Sequence, residues 1–173
     1  MSLLRRPPPI APLPVLCLVG LFLLVGMDCS SNNKNAIPTD IQFRADGVLD
    51  FIRPDSSIII RIAIEIADTD SAQARGLMDR RSLPNRGGML FVNTAPRQQS
   101  FWMKSTPLPL DILFIGVDSS VVNIAKKTRP YSEDRIESTG PAQFVLEVRS
   151  GFTDRYGIDE TTRLRWRRQV IDS

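Results

Sequence analysis

Ile58-Ile59-Ile60-Arg61-Ile62-Ala63-Ile64-Glu65-Ile66-Ala67 is the stretch that decides the fold. In an extended strand successive side chains point to opposite faces. Ile58, Ile60, Ile62, Ile64 and Ile66 therefore share one face, and Arg61 and Glu65 share the other with Ile59 and the two alanines. Branching at Cβ crowds a helix and suits a pleated surface. This is the strongest strand in the chain.

Downstream, Asp68, Thr69 and Asp70 offer caps for a short helix over Ser71 to Met78, which ends near Asp79 to Ser82 with Pro84 beyond. Gly87-Gly88 turns into a strand Met89 to Val92. Ser100 to Ser105 reads as extended, Pro107 and Pro109 stiffen a loop, and Asp111 opens the apolar run Ile112 to Val117. Asp118-Ser119-Ser120 predicts a hairpin that pairs this run with Val121 to Ala125. Lys126 to Pro141 reads as a surface loop, Phe144 to Val148 as a strand, and Gly151 to Tyr156 as a helical turn closed by Gly157. In the last strand, Thr162 to Val170, Arg163, Arg165 and Arg167 alternate with Leu164 and Trp166, which protects an edge. The order predicts one α+β domain over residues 47–173, mostly antiparallel β, a compact partly closed barrel or sandwich with one or two short helices.

The N-terminus is organised differently. Arg5 and Arg6 precede an uncharged stretch whose unbroken apolar core runs from Val15 to Val25, the layout of an export signal. A spanning helix needs about 20 apolar residues, so cleavage or acylation is favoured over a permanent span. Residues 1–28 are expected as signal peptide or membrane anchor, and residues 29–46, opening with Cys29-Ser30-Ser31-Asn32-Asn33, as a flexible linker. The start resembles that of a bacterial lipoprotein, with Cys29 the candidate for lipidation. The protein is expected to be exported and held at the cell envelope, by a lipid or by the segment itself, or released to the periplasm.

Composition excludes whole classes of chemistry. The chain has no histidine, the commonest general base and transition-metal ligand. Its two cysteines, Cys17 and Cys29, both precede the folded part. No metal site and no cofactor are expected, and the formal charge of +3 with export argues against nucleic acid as a partner.

Four segments carry a family likeness: Arg75-Gly76-Leu77-Met78; Gly88-Met89-Leu90-Phe91; Phe101-Trp102-Met103-Lys104 leading to Pro109-Leu110-Asp111-Ile112-Leu113-Phe114; and Val145-Leu146-Glu147 before Gly151. In this order they resemble the domain of unknown function 192 family over roughly residues 57 to 170. The resemblance implies a fold and a habit of export; it brings no activity, substrate or cofactor.

The polar residues of these segments are the candidate site: Arg75, Trp102, Lys104, Asp111 and Glu147. An acid/base pair needs two carboxyls with pKa values pushed apart, and Asp111 and Glu147 are available. Arg75 forking onto either carboxylate would instead tie helix to sheet. Trp102 and Lys104 share a face opposite Phe101 and Met103, as a cleft wall for a sugar or small anion would require. Met78, Met89 and Met103 are read as core fillers rather than a soft-metal site. The resulting expectation is a monomeric, membrane-tethered, noncatalytic module that binds a small ligand or envelope component. A carboxylate-dependent hydrolase or lyase acting on envelope carbohydrate is the alternative.

Overall fold

The computed structural model describes residues 41–169. Nine strands and two helices follow one another: β1 (Gly47–Ile52), β2 (Ile58–Ala67), α1 (Asp70–Arg75), β3 (Gly87–Arg97), β4 (Ser100–Phe101), β5 (Leu110–Ile115), β6 (Val121–Ala125), β7 (Ile136–Glu137), β8 (Ala142–Arg149), α2 (Phe152–Tyr156) and β9 (Arg163–Arg168). Seven strands form one sheet in the order β6-β5-β8-β3-β2-β1-β9, and β4 and β7 form a small second one. Neighbours run antiparallel except β2 and β3, which are parallel, with Ala63 opposite Gly87. The fold is α+β.

The sheet curls without closing into a barrel. Its edges, β6 and β9, touch through one isolated bridge, Ser120 opposite Arg163, and Leu164 N donates to Ser119 O at 2.9 Å. Ile60, Ile62, Ile64 and Ile66 pack with Leu49, Phe51, Leu90, Leu113, Leu146 and Leu164. Both edge strands contribute to this cluster, through Val121 and Leu164, so it fills the inside of the curl, where α2 adds Phe152. Each buried isoleucine contributes roughly 1.5–3 kcal/mol. Ile58, in phase with them, is 47% exposed, because the register slips beside it, between Phe51 and Ile52.

A second apolar cluster covers the outside: Met89 and Phe91 of β3, Leu110, Ile112 and Phe114 of β5, and Val145 of β8, topped by Leu77, Leu83 and Met103. Met89 and Met103 are thus core residues. Among the described residues no helix is long and apolar enough to cross a membrane; the segment 1–28 and Cys29 lie outside them.

Besides adding strand β1, the structure departs from the sequence reading at α1, in the loop before β8 and at the end of the linker. Helix α1 stops at Arg75 rather than Met78, because Gly76 takes φ +49°, a conformation that favours glycine. The stretch expected as an unbroken loop contains β7, paired with β4 through Ile136 and Phe101. Residues at the end of the expected linker are engaged: Arg44 N donates to Glu65 Oε1 at 2.8 Å, Ile66 N to Asp46 Oδ2 at 2.9 Å and Gln169 N to Asp46 O at 2.9 Å. A chain beginning at Gly47 should therefore unfold at lower denaturant than one beginning at Ile41, by about 2–4 kcal/mol, since several net hydrogen bonds of roughly 1 kcal/mol each and a partner of Glu65 are lost. Paired urea titrations check this.

Candidate functional site

Strand β8 lies between β3 and β5, and its register places Glu147 opposite Met89 on one side and Ile112 on the other. Alternation puts Glu147 in phase with Val145, on the outside face of the sheet. This carboxyl is consequently set among apolar side chains. It is 5% exposed, and neither oxygen takes a hydrogen bond among the described residues; Oε2 is sealed from solvent altogether. Removal from water disfavours the charged form, and burial pushes the Glu147 pKa up to about 8. At neutral pH Glu147 is mostly a neutral acid.

Glu147 lines a cleft of about 330 Å³. One wall is the end of α1 and the turn after it, residues Gln73 to Met78; β3 adds Phe91, Asn93 and Arg97, and the segment around β4 adds Gln99, Ser100, Phe101 and Trp102. Gly76 makes this wall possible, since a Cβ there would meet Phe91 Cζ at 3.2 Å on a strained backbone. Gly88 lets β3 approach β8, as a Cβ would lie 2.8 Å from Glu147 O. Phe101 stacks edge-on against Phe91 at 5.0 Å and Phe114 at 6.0 Å, which fixes the aromatic wall.

Three neutral amides share the lining. Gln73 Nε2 donates to Ala67 O at 3.2 Å and Val92 O at 2.9 Å. Asn93 Nδ2 donates to Gln143 O at 3.0 Å, and Gln99 Nε2 to Ala142 O at 3.0 Å. Main-chain carbonyls only accept, so nitrogen must face them and each amide oxygen is left over as an acceptor. None of these oxygens has a partner among the described residues.

Of the residues singled out in the sequence, Arg75, Trp102 and Glu147 meet at this cleft, while Lys104 and Asp111 do not line it. Arg75 is exposed and sits 3.8 Å from Asp79, so it ties no helix to the sheet through Asp111 or Glu147. Lys104 lies over the Trp102 ring at 5.0 Å and 3.9 Å from Glu133, at the cleft's outer margin. Trp102 is 47% exposed.

Asp111 does different work. It pairs with Val148 across β5 and β8, one position out of phase with Glu147, and so faces the inside of the curl. Lys127 N and Gly151 N donate to its Oδ1 at 2.9 and 3.2 Å; Thr153 N and Oγ1 donate to Oδ2 at 3.0 and 2.7 Å. The carboxylate pins the start of α2 and the turn after β6. Two-carboxylate chemistry thus has only Glu147 in the cleft. Asp111→Ala should cost about 3 kcal/mol or more, because each buried donor left without a partner costs roughly 1–3 kcal/mol; chemical denaturation measures it.

The one ion pair in which both side chains are buried, among the described residues, escaped the sequence reading: Arg80 to Glu65, Nη1 to Oε1 at 2.7 Å and Nη2 to Oε2. Arg97 and the three amides were missed as well. Neutral amides and a lone arginine carry no spacing signal, and only the folded chain collects them.

The four segments that carry the family likeness converge here. Arg75 to Met78, Phe91, Phe101, Trp102 and Glu147 all line the cleft. The sequence profile of DUF192, described as "Uncharacterized ACR", matches residues 52–166. A crystal structure of a candidate transcription regulator from Sinorhizobium meliloti 1021 is similar, at 32% identity and TM-score 0.68, covering 73% of this chain and 98% of that one. So is a protein of unknown function from Novosphingobium aromaticivorans DSM 12444, at 35% identity and TM-score 0.65, covering 69% and 84%. No curated protein matches the chain. With profile, motifs and fold in agreement over the same residues, the chain belongs to the domain of unknown function 192 family.

Proposed function

We propose that the protein is an exported binding module for a small ligand or envelope component, tethered to the membrane through its N-terminal segment, with the Glu147 cleft as its binding site. The observation that carries this reading is an unpartnered, dry carboxyl at a cleft lined by aromatic rings and free amide oxygens. Such a group costs the fold stability, and perturbed groups of this kind gather at functional sites. The cleft volume, about 330 Å³, falls at the small end of ligand pockets, roughly 300–1,000 Å³. Arg5, Arg6, the apolar core Val15 to Val25 and Cys29 support the export and tether. Binding is favoured over hydrolysis because glycoside cleavage uses two carboxyls across one bond, and Asp111 faces the other side of the sheet.

The test is a thermal-shift screen of small envelope components and metabolites against the full chain in a non-ionic detergent, run beside Ala74→Trp. Ala74 is exposed and lines the cleft, so an indole there fills the site without entering the core. A ligand at a hundred times its Kd stabilises the native state by about 2.7 kcal/mol. The expected hits raise Tm in the parent protein and not in Ala74→Trp. Hits that shift both proteins equally would place binding elsewhere. Fractionation tests the tether: the full chain should pellet with membranes and a chain lacking residues 1–40 should not.

A further inference from the structure

Resting on the cleft as the binding site, we propose that its ligand is a small zwitterion, a primary amine seated on Glu147 with an anionic group at the opposite end facing Arg97. Around Glu147 the cleft offers uncommitted acceptors: the Glu147 carboxyl and the amide oxygens of Gln73, Asn93 and Gln99. Each of the three amide nitrogens is turned to a main-chain carbonyl, Gln73 with both hydrogens and Asn93 and Gln99 with one each, so it is the amide oxygens that are left wholly without partners. A ligand that satisfies such a set must bring donors, and an ammonium group brings three with no acceptor.

The aromatic lining points the same way. Phe91, Phe101 and Trp102 line the cleft, and ring faces attract cations. The Trp102 face already holds the Lys104 ammonium at 5.0 Å, which shows what the ring accepts. Arg97 is the complementary feature. It lines the cleft, is exposed and makes no ion pair among the described residues, so it is available to a carboxylate or phosphate at the ligand's other end.

Seating an ammonium on Glu147 requires the carboxylate form, so a proton leaves as the amine binds. The charged side chains that share the cleft are Arg75 and Arg97; the neighbours from β3 (Met89, Phe91), β5 (Ile112), the turn after α1 (Leu77, Met78) and β4 (Phe101) carry no titratable group. With the Glu147 pKa about 8 and alkylamines charged up to about pH 10, amine affinity should climb with pH by nearly tenfold per unit and level off above pH 8.

Titration calorimetry on the full chain in non-ionic detergent tests this with β-alanine, 4-aminobutyrate and 5-aminovalerate, beside butylamine and butyrate. At least one amino acid should bind more tightly than butylamine, butyrate should not bind, and affinity should rise about tenfold from pH 6 to pH 7. Glu147→Gln should remove that rise and most of the affinity. Arg97→Gln should bring the amino acid down to the level of butylamine. The inference is overturned if none of the amines binds, if butyrate binds as well as the amino acids, or if Glu147→Gln leaves the pH profile unchanged. Neutral or anionic hits that Ala74→Trp abolishes would leave the cleft as the site and overturn the zwitterion alone. Hits indifferent to Ala74→Trp would remove the cleft itself.

Discussion

Arg80→Ala is expected to lower the unfolding free energy by about 3–5 kcal/mol, the usual cost of stripping one partner from a buried ion pair. Glu65 and Arg80 are both almost fully buried and meet through a two-pronged contact. Glu65 also receives Arg44 N, and Arg80 reaches Gln42 O at 3.5 Å. The pair therefore joins β2, the segment after α1 and the chain entering β1. Removing the guanidinium leaves a carboxylate in the dry layer between sheet and loop. Against a total of roughly 5–15 kcal/mol for a domain, Arg80→Ala removes a large share of the stability. Arg80→Lys should recover only part of the loss, since an ammonium cannot reproduce the planar fork. Guanidinium titrations of the three proteins measure both steps.

Glu147→Leu is expected to act in the opposite direction and to depend on pH. In the unfolded chain Glu147 titrates near 4.5, and in the fold near 8. Below pH 4.5 it is protonated in both states and carries no linked penalty. As pH rises from there to about 8 the unfolded chain loses the proton and the folded one keeps it, so native stability falls by about 1.4 kcal/mol per pH unit. Above pH 8 the loss is complete. The loss attached to Glu147 by pH 7 is on the order of 3 kcal/mol, and leucine fills similar space without it. Asp46 and Asp50, held ionised in the fold first by hydrogen bonds from Arg44 and Arg61 respectively, pull stability the other way as pH falls. The readout is therefore the difference between Glu147→Leu and the parent, which should widen from pH 5 to pH 8. A Glu147 carboxyl that stabilised the fold would show no such gain.

The isoleucine strand made the core legible. Alternation alone placed Ile60, Ile62, Ile64 and Ile66 on one buried face, and the arginines of the last strand on a solvated one. Strand β1 was not foreseen, because Gly-Val-Leu-Asp-Phe-Ile is short and its Asp50 looks like a turn residue until Arg61 and Arg165 are seen on either side of it. The site was legible in part. Glu147 and Trp102 stood out as polar or amphipathic residues inside apolar motifs, yet whether two carboxyls share a face depends on strand register. Asp111 is opposite Val148 and Ile112 is opposite Glu147; a slip of one residue would have brought both acids into the cleft. Register is set by the whole sheet, and no local spacing encodes it. The Arg80–Glu65 pair was hidden for a related reason: Glu65 shares its face with alanines, and that face is covered by the segment after α1 and the chain entering β1, both distant from it in sequence.

The most direct test of the account is the protonation of Glu147 itself, followed by carbon-detected NMR of the side-chain carboxyl in protein labelled at glutamate and assigned with Glu147→Gln. A midpoint near pH 8 is expected, moving down when an amine occupies the cleft. A midpoint near the ordinary 4.5 would mean that water or a partner reaches the carboxyl, and would contradict the dry, unpaired acid on which the binding site rests.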